Sequence, residues 1–467
     1  AKPPVANPTG TPTAIPVHGT FGPVIGPNTT LPTSAPLPTT VPASPSPRAL
    51  APATATPSSG TFGPIVGPDY TPPPTETPRP TVLTPPANVT LPPIFTPGPS
   101  PTPGPVLKSA LMGVQIHGFL TDSDWDGMLA RAKALGVGWI KVQFQWKELE
   151  PSRGAYNELY RTMVLHIQRA HISGFHTLIS FAKGPAWSHS GTLDDGPGDD
   201  PGNLTDFVTH VVADVKPEFI DAIEVWNEAN LAREWGMRPL DGGDYMRFFR
   251  PIHTAIQNQE KAQVGSDPTH RIVIITAAPA PTASVPGNSV DDRAWLRALY
   301  ASGLATLGDD IAVGVHPYGW ANPPGAVCCK ASPGVSGWYE YPSFYFLNTI
   351  QDYRAIMVQN NHASAKLWPT EFGWASWDGF PGSPPAGDEW QTLLNQAQQA
   401  DYDLQAFYVA QKPPYYDYLG PMMLWNLNFA AIPHMVEDRR EETGFSLVDS
   451  SGNGRPAFAR ISAAPKE

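Results

Sequence analysis

Thirty-one of the 57 prolines fall in the first 107 residues, where they recur every few positions. Each proline removes a backbone donor and fixes φ, so this stretch is barred from ordinary helices and from central strands. Polyproline II and irregular extended chain are what remain. The same stretch carries 20 threonines, two acidic residues (Asp69 and Glu76) and none of the 14 tryptophans. An apolar core therefore has to come from residues 108–467, a length that suits one large α/β domain.

Net charge divides the same way. Lys2, Arg48 and Arg79 against two acids leave +1 on residues 1–107, so the remainder carries −13 of the total −12. An acidic body without a basic stripe argues against nucleic acid or an anionic membrane as partner. No apolar run approaches the roughly 18 residues of a membrane span. The chain begins at Ala1, as it would after removal of an export signal or of an initiator Met alone. Its Pro/Thr-rich arm resembles the glycosylated stalks of exported proteins, so a secreted, extracellular or cell-surface location is the expectation. Asn28, Asn88 and Asn203 stand in N-x-Thr sequons.

The arm hides a repeat. Gly19-Thr-Phe-Gly-Pro-Val-Ile-Gly-Pro27 recurs as Gly60-Thr-Phe-Gly-Pro-Ile-Val-Gly-Pro68, 41 residues later. Two copies are too few for a self-supporting solenoid. A spacer has no need of Phe and paired β-branched residues at matched positions. Docking on a neighbouring subunit, giving a homopolymer through residues 1–107, is one reading; a drifted linker is the other. The two cysteines, Cys328 and Cys329, are adjacent. Neighbouring Cα atoms sit about 3.8 Å apart, closer than an ordinary disulfide span. A vicinal disulfide, two free thiols and an intermolecular bridge all stay open, and the pair makes a poor zinc site.

From residue 111 apolar runs alternate with longer stretches of mixed polarity, as repeated βα units do. The strand candidates are 111–117, 138–144, 175–181, 220–226, 271–277, 311–316, 366–371 and 421–427. Helices are expected over 124–135, 156–171, 203–215, 243–259, 291–302, 343–358 and 389–411. Eight parallel strands with helical returns close into a (β/α)8 TIM barrel, preceded here by an extended Pro/Thr-rich arm without regular helix. Such a barrel places its chemistry at the C-terminal strand ends.

Two of those ends deliver a glutamate: Ile223-Glu224-Val225-Trp226-Asn227-Glu228 and Lys366-Leu367-Trp368-Pro369-Thr370-Glu371. A carboxyl pair brought from two strand ends suits acid-catalysed cleavage of a glycosidic bond, in which one group protonates the departing oxygen and the other attacks or stabilises the sugar carbon. One carboxyl must arrive protonated, and burial beside a second carboxylate pushes that way. The other strand-end residues suit a sugar: His117, Trp146, Trp187, His316, Tyr318 and Trp425 offer flat apolar faces or hydrogen bonds. Glu148 and Glu150 read as loop or helix-start residues, and Glu224 as an internal structural partner.

Residues 108–467 resemble a clan A glycoside hydrolase, closest in style to families 5 and 39. Trp226-Asn227-Glu228 is similar to that clan's fourth-strand motif, and Thr370-Glu371-Phe372-Gly373-Trp374 to its seventh-strand nucleophile motif. Trp146-Lys-Glu-Leu-Glu-Pro-Ser-Arg-Gly-Ala-Tyr156 resembles the stretch after strand two. The resemblance implies Glu228 as general acid/base and Glu371 as nucleophile. It also implies Asn227 on the 2-hydroxyl, Tyr318 with His316 orienting the nucleophile, and Trp425 as the floor of the sugar site. No cofactor is implied. Two positions depart from the clan: Lys141 stands where an arginine usually supports the nucleophile, and Ala229 follows the acid/base where proline is frequent. Lysine is a point charge without a bidentate fork.

The expectation is a secreted retaining β-glycosidase acting on a polysaccharide or oligosaccharide. The alternatives are a structural subunit of an extracellular polymer or surface layer, assembled through the arm with the barrel displayed or catalytically impaired, and a glycan-binding barrel that does not cut. The connection 317–342, rich in aromatics, is a candidate cleft wall. Loop 184–202, rich in Gly and Asp, is a weak calcium candidate lacking the full EF-hand spacing, so no metal is assigned.

Overall fold

In the computed structural model, residues 105–190, 195–236, 238–263, 271–308, 310–329 and 341–467 are described. Residues 1–104 of the arm, with its two repeats, its sequons at Asn28 and Asn88 and the assembly reading, lie outside the described residues. So do parts of loop 184–202 and of the connection 317–342.

Eight parallel strands form the sheet: β1 Met112–Gln115, β2 Trp139–Gln145, β3 His176–Ala182, β4 Ala222–Val225, β5 Val273–Thr276, β6 Ile311–Val315, β7 Leu367–Pro369 and β8 Met422–Leu424. Their order is β7-β6-β5-β4-β3-β2-β1-β8. The remaining seam, between β7 and β8, is stitched by single parallel bridges, Leu367 to Leu419 and Phe372 to Leu424. The result is a (β/α)8 barrel. All eight strands fall within the spans expected from sequence, give or take a residue; β2 and β3 keep the full seven residues, and the other six are shorter than the apolar runs.

Helices return the chain between strands, over Asp122–Leu135, Glu158–Ile172, Pro201–Val215, Gly242–Gln263, Asp292–Ala301, Phe346–Gln359 and Gln396–Ala410. Several start at a side-chain cap. Thr121, Asn157, Asp200 and Asp291 each accept a first-turn N–H, and Asn395 forms a capping box with Gln398. That box moves the last of the expected helices: residues 389–392 form a separate 3-10 turn, and the helix begins only at Gln396. The helix Pro456–Ala463 had no sequence expectation. Leu107 is buried and its strand-like backbone pairs with Lys466, so the last residue assigned to the arm packs with the barrel.

Alternation along the strands sorts side chains into layers. Trp139, Leu178, Ala222, Ile275, Ala312, Trp368 and Met423 form one apolar cluster that plugs the barrel floor. Gly113 makes room for it, since a Cβ there would meet the Met423 sulfur at 2.2 Å and Trp139 Cβ at 2.8 Å. Two residues further along, five of the eight strands place a buried polar side chain inward: Gln115, Lys141, Ser180, Glu224 and Thr370. A one-residue slip would turn this polar layer into the outer, helix-facing core. The site is built on it. Among the described residues no helix is long and apolar enough to cross a membrane.

Candidate active site

Lys141 stands at the centre of the polar layer, fully buried. Its ammonium donates to Glu371 Oε1 at 2.9 Å and to the Thr370 carbonyl at 3.1 Å, and pairs with Glu224 Oε2 at 3.0 Å. Three oxygens thus surround a group with three N–H donors. A buried charge is tolerable only when paired and hydrogen-bonded. Here a second carboxylate accompanies the lysine. Glu224 also accepts from the Thr370 hydroxyl at 2.6 Å and the Ala278 N–H at 3.2 Å. It is the internal partner that its place inside β4 implied.

Glu371 sits just past β7 and is 4% exposed. Tyr318 donates its hydroxyl to Glu371 Oε2 at 2.8 Å. Burial alone would raise the Glu371 pKa. The charges of Lys141 and His316 and the bonds from Lys141 and Tyr318 outweigh it, so the carboxyl is held below its usual range. Burial likewise opposes charge on Lys141 and His316, but the surrounding carboxylates hold both pKa values above their ordinary ones.

Glu228 follows β4 on a turn whose backbone is unusual: φ is +77° at Trp226 and +42° at Glu228. Left-handed non-glycine residues cost on the order of 1–3 kcal/mol and persist only where the surroundings dictate them. The Trp226 indole donates to the Glu234 carbonyl at 2.7 Å, and the Glu228 N–H to the Ala278 carbonyl at 3.1 Å. These bonds hold the turn and turn the carboxyl inward. His316, at the end of β6, joins the two glutamates: its Nδ1 lies 3.1 Å from Glu228 Oε1 and 3.9 Å from Glu371 Oε2. Those distances cap the gap between the two oxygens at about 7 Å. Arg233 Nη2 lies 3.9 Å from Glu228 Oε2.

Beside Glu371 opens a pocket of about 170 Å³. His117, Asn227, Glu371 and Trp425, all at or just past strand ends, line it. Burial pushes the His117 pKa down to about 4, so this imidazole is neutral at pH 7. Behind Trp425 stand Tyr318, Trp320, Phe344, Trp390 and Phe445, a buried aromatic cluster that fixes its indole.

Two expected sugar contacts are elsewhere. Trp146 is fully buried, its ring 5.3 Å from Phe207 and its N–H on Glu150 Oε2 at 2.6 Å. It opens the short helix Trp146–Leu149, which turns it out of the barrel axis into the helix layer. Trp187 packs edge-on against it and donates to the Glu150 carbonyl. Both are packing residues here, and Glu150 is their buried acceptor.

The pocket also contains residues the sequence reading passed over: Gln115, Gln143, Gln145, Lys183, Phe429, Met435, Arg440 and Glu442. The glutamines had a signal. Gln115 precedes His117 by two, and Gln143 and Gln145 follow Lys141 by two and four, so all share the inward parity of β1 and β2. Arg440 and Glu442 come from the long segment after β8, where no periodicity announces them. The two cysteines of the sixth connection form a vicinal disulfide, Cys328–Cys329. Among the described residues no group of three or more His, Cys, Asp or Glu is placed to hold a metal ion.

Compared with known proteins, the chain matches no family model and no curated protein by sequence. Solved structures do resemble it. One is a family 39 glycoside hydrolase from the gut symbiont Bacteroides cellulosilyticus, at 16% identity and a TM-score of 0.53, covering 77% of this chain and 64% of that one. Another is a glucosidase from Croceicoccus marinus, at 11% identity and a TM-score of 0.51, covering 76% of this chain and 67% of that one. The shared feature is the barrel. It is a fold that glycoside hydrolases use, as the strand-end motifs implied, and this chain spans about 64% of the family 39 enzyme's length.

Proposed function

We propose that the protein is a retaining β-glycosidase acting on a polysaccharide or oligosaccharide, with Glu371 as nucleophile and Glu228 as acid/base. The observation that carries this is the meeting of two strand-end carboxyl groups at one imidazole nitrogen, His316 Nδ1, at 3.1 and 3.9 Å. Retaining glycosidases space their carboxyls about 5–5.5 Å apart and inverting ones about 6.5–9.5 Å. The cap of about 7 Å set by His316 removes most of the inverting range.

The chemistry follows from the surroundings. Glu228 passes its proton to the glycosidic oxygen as the C–O bond breaks, and a Glu371 oxygen bonds to the anomeric carbon. Glu228, now a carboxylate, takes a proton from water, whose oxygen displaces Glu371 and restores both groups. His316 and the nearby Arg233 stabilise the charge that Glu228 acquires in the first half. Lys141 and Tyr318 keep Glu371 ionised and aimed. The Pro/Thr-rich arm supports an exported enzyme.

Hydrolysis of a panel of β-linked polysaccharides and aryl β-glycosides by the full chain, beside Glu371→Gln, is the test. Cleavage by the parent that the variant loses supports the proposal, and cleavage unaffected by the variant contradicts it.

The lowered pKa of Glu371 has a pH consequence. The nucleophile must be ionised, so the acid limb of kcat/KM falls below the ordinary glutamate value of about 4.3. Stability follows the same sign. A depressed carboxyl contributes above its unfolded pKa, and that contribution is lost as pH falls through the folded value. A pH–rate profile of the parent whose acid limb lies above pH ~5 would contradict the assignment.

Lys141→Met is expected to lower kcat/KM by about 10²-fold and to move that acid limb upward. Removing one partner of a buried pair costs about 3–5 kcal/mol, because Glu224 and Glu371 are left facing each other. Lys141→Arg keeps the charge and retains most of both properties. Kinetics of the two variants with their melting temperatures check this; unchanged turnover in Lys141→Met removes the supporting role.

A further inference from the structure

The pocket lies to one side of the reacting carboxyls. Its walls come from β1, β2, the ends of β3, β4 and β7, and the segment after β8, whereas the Glu228 carboxyl points to His316 and Arg233 on the β4–β6 side. The acid protonates the departing oxygen, so the leaving group lies towards Glu228 and the pocket receives the sugar that Glu371 attacks. At about 170 Å³ it holds roughly one ring, since an engineered cavity near 150 Å³ accommodates benzene. Among the described residues, the space adjoining it between β1 and β2 is about 10 Å³, room for one water at most.

Three of the wall residues carry buried polar atoms without a partner. Gln115 Oε1, Asn227 Oδ1 and Glu442 Oε2 belong to side chains that are 2%, 5% and 3% exposed, and none has a hydrogen-bond partner among the described residues. An unpaired buried polar atom is unfavourable, and three of them fall on residues of this one pocket, where a ligand can supply the missing bonds. Glu442 is held from behind. Its carbonyl accepts from Asn426 Nδ2 at 3.0 Å, its carboxyl accepts from its own N–H, and Arg440 Nη2 approaches Oε1 at 3.5 Å, while Oε2 has no hydrogen-bond partner among the described residues.

We infer that the pocket takes a single terminal pyranose from the non-reducing end of a glycan, and that Glu442 is its specificity anchor, accepting hydrogen bonds from ring hydroxyls remote from the bond being cut. The enzyme is then exo-acting. This rests on the glycosidase reading and deepens it. Burial raises the Glu442 pKa against the opposing charge of Arg440, which fits a carboxyl whose hydrogen-bonding capacity a ligand completes. A site built to pair with a hydroxyl rejects rings that lack it, because its own polar atoms are then stranded.

The test uses the full chain with reducing-end-labelled β-linked tetrasaccharides of glucose, galactose, mannose and xylose, and the matching 4-nitrophenyl β-glycosides. Binding of the four free monosaccharides to the Glu371→Gln protein is followed by saturation-transfer NMR. The expected first products are a monosaccharide and a labelled trisaccharide. Glu442→Ala is expected to lose about 10²-fold in kcat/KM on the aryl glycoside and to lose monosaccharide binding in the Glu371→Gln background. Should Glu442→Ala fail to fold by circular dichroism, Glu442→Gln takes its place, with a loss of about 10-fold or more. Disaccharide or longer first products, or variants within twofold of the parent, overturn the inference while the glycosidase reading stands. Monosaccharide binding that depends on Glu442, without any cleavage, upholds the pocket and removes the glycosidase reading. Neither cleavage nor binding overturns both.

Discussion

Glu371→Gln is expected to lower kcat/KM by about 10⁴-fold or more while leaving the fold intact. Loss of a covalent nucleophile leaves only binding and the remaining electrostatics to act, and such single losses commonly remove most of the catalysis. The replacement is isosteric, and the Tyr318 hydroxyl still has an oxygen to approach. Lys141 keeps the Glu224 carboxylate at 3.0 Å and the Thr370 carbonyl at 3.1 Å, so the buried ammonium is not orphaned. The polar layer therefore survives the change. Steady-state kinetics on an aryl β-glycoside, with the melting temperature as control, check this. Residual activity above about 1% in a folded variant would remove Glu371 from the nucleophile's role.

Glu228→Gln gives the second large effect, and its size depends on the leaving group. A positioned general acid contributes about 10²–10⁴-fold when the departing oxygen needs a proton. An oligosaccharide, whose leaving alkoxide is poor, is expected to lose that full factor. A dinitrophenyl glycoside, whose leaving group departs without help, is expected to form the glycosyl-enzyme at nearly the parent's rate. Its release is then slow, because the water has no base. Added azide attacks without one and should restore turnover, yielding a glycosyl azide. Equal losses on both substrates, with no azide rescue, would assign Glu228 a structural role in its turn.

Legibility in the sequence followed the physics of each element. Eight apolar runs ending at polar residues are what parallel strands buried on both faces must look like, and the barrel followed from them. The placing of Glu228, Glu371, His316 and Tyr318 rested on one idea, that chemistry collects where strands end. Lys141 was named through the clan resemblance; the parity of β2 that brings it into the barrel, where it meets Glu371, would also have marked Gln143 and Gln145. Trp146 shows where position failed. It follows β2 directly, yet a four-residue helix rotates it onto Phe207, and no local pattern predicts that rotation. Glu442 was invisible for a different reason. It lies in an irregular segment after β8, and its approach to the pocket depends on tertiary contacts such as the Asn426 bond to its carbonyl. Loops are positioned by the scaffold that they cross rather than by their own periodicity.

Mass spectrometry of the full chain after incubation with an activated 2-deoxy-2-fluoro β-glycoside of the sugar it cleaves is the most direct measurement of the central claim. The fluorine slows release of the glycosyl-enzyme more than its formation when the leaving group is good. A mass gain of one fluoroglycosyl unit, mapped by proteolysis to the peptide containing Glu371 and absent in Glu371→Gln, is the predicted result. Turnover of the parent glycoside without any adduct, or an adduct on another carboxyl, would contradict it.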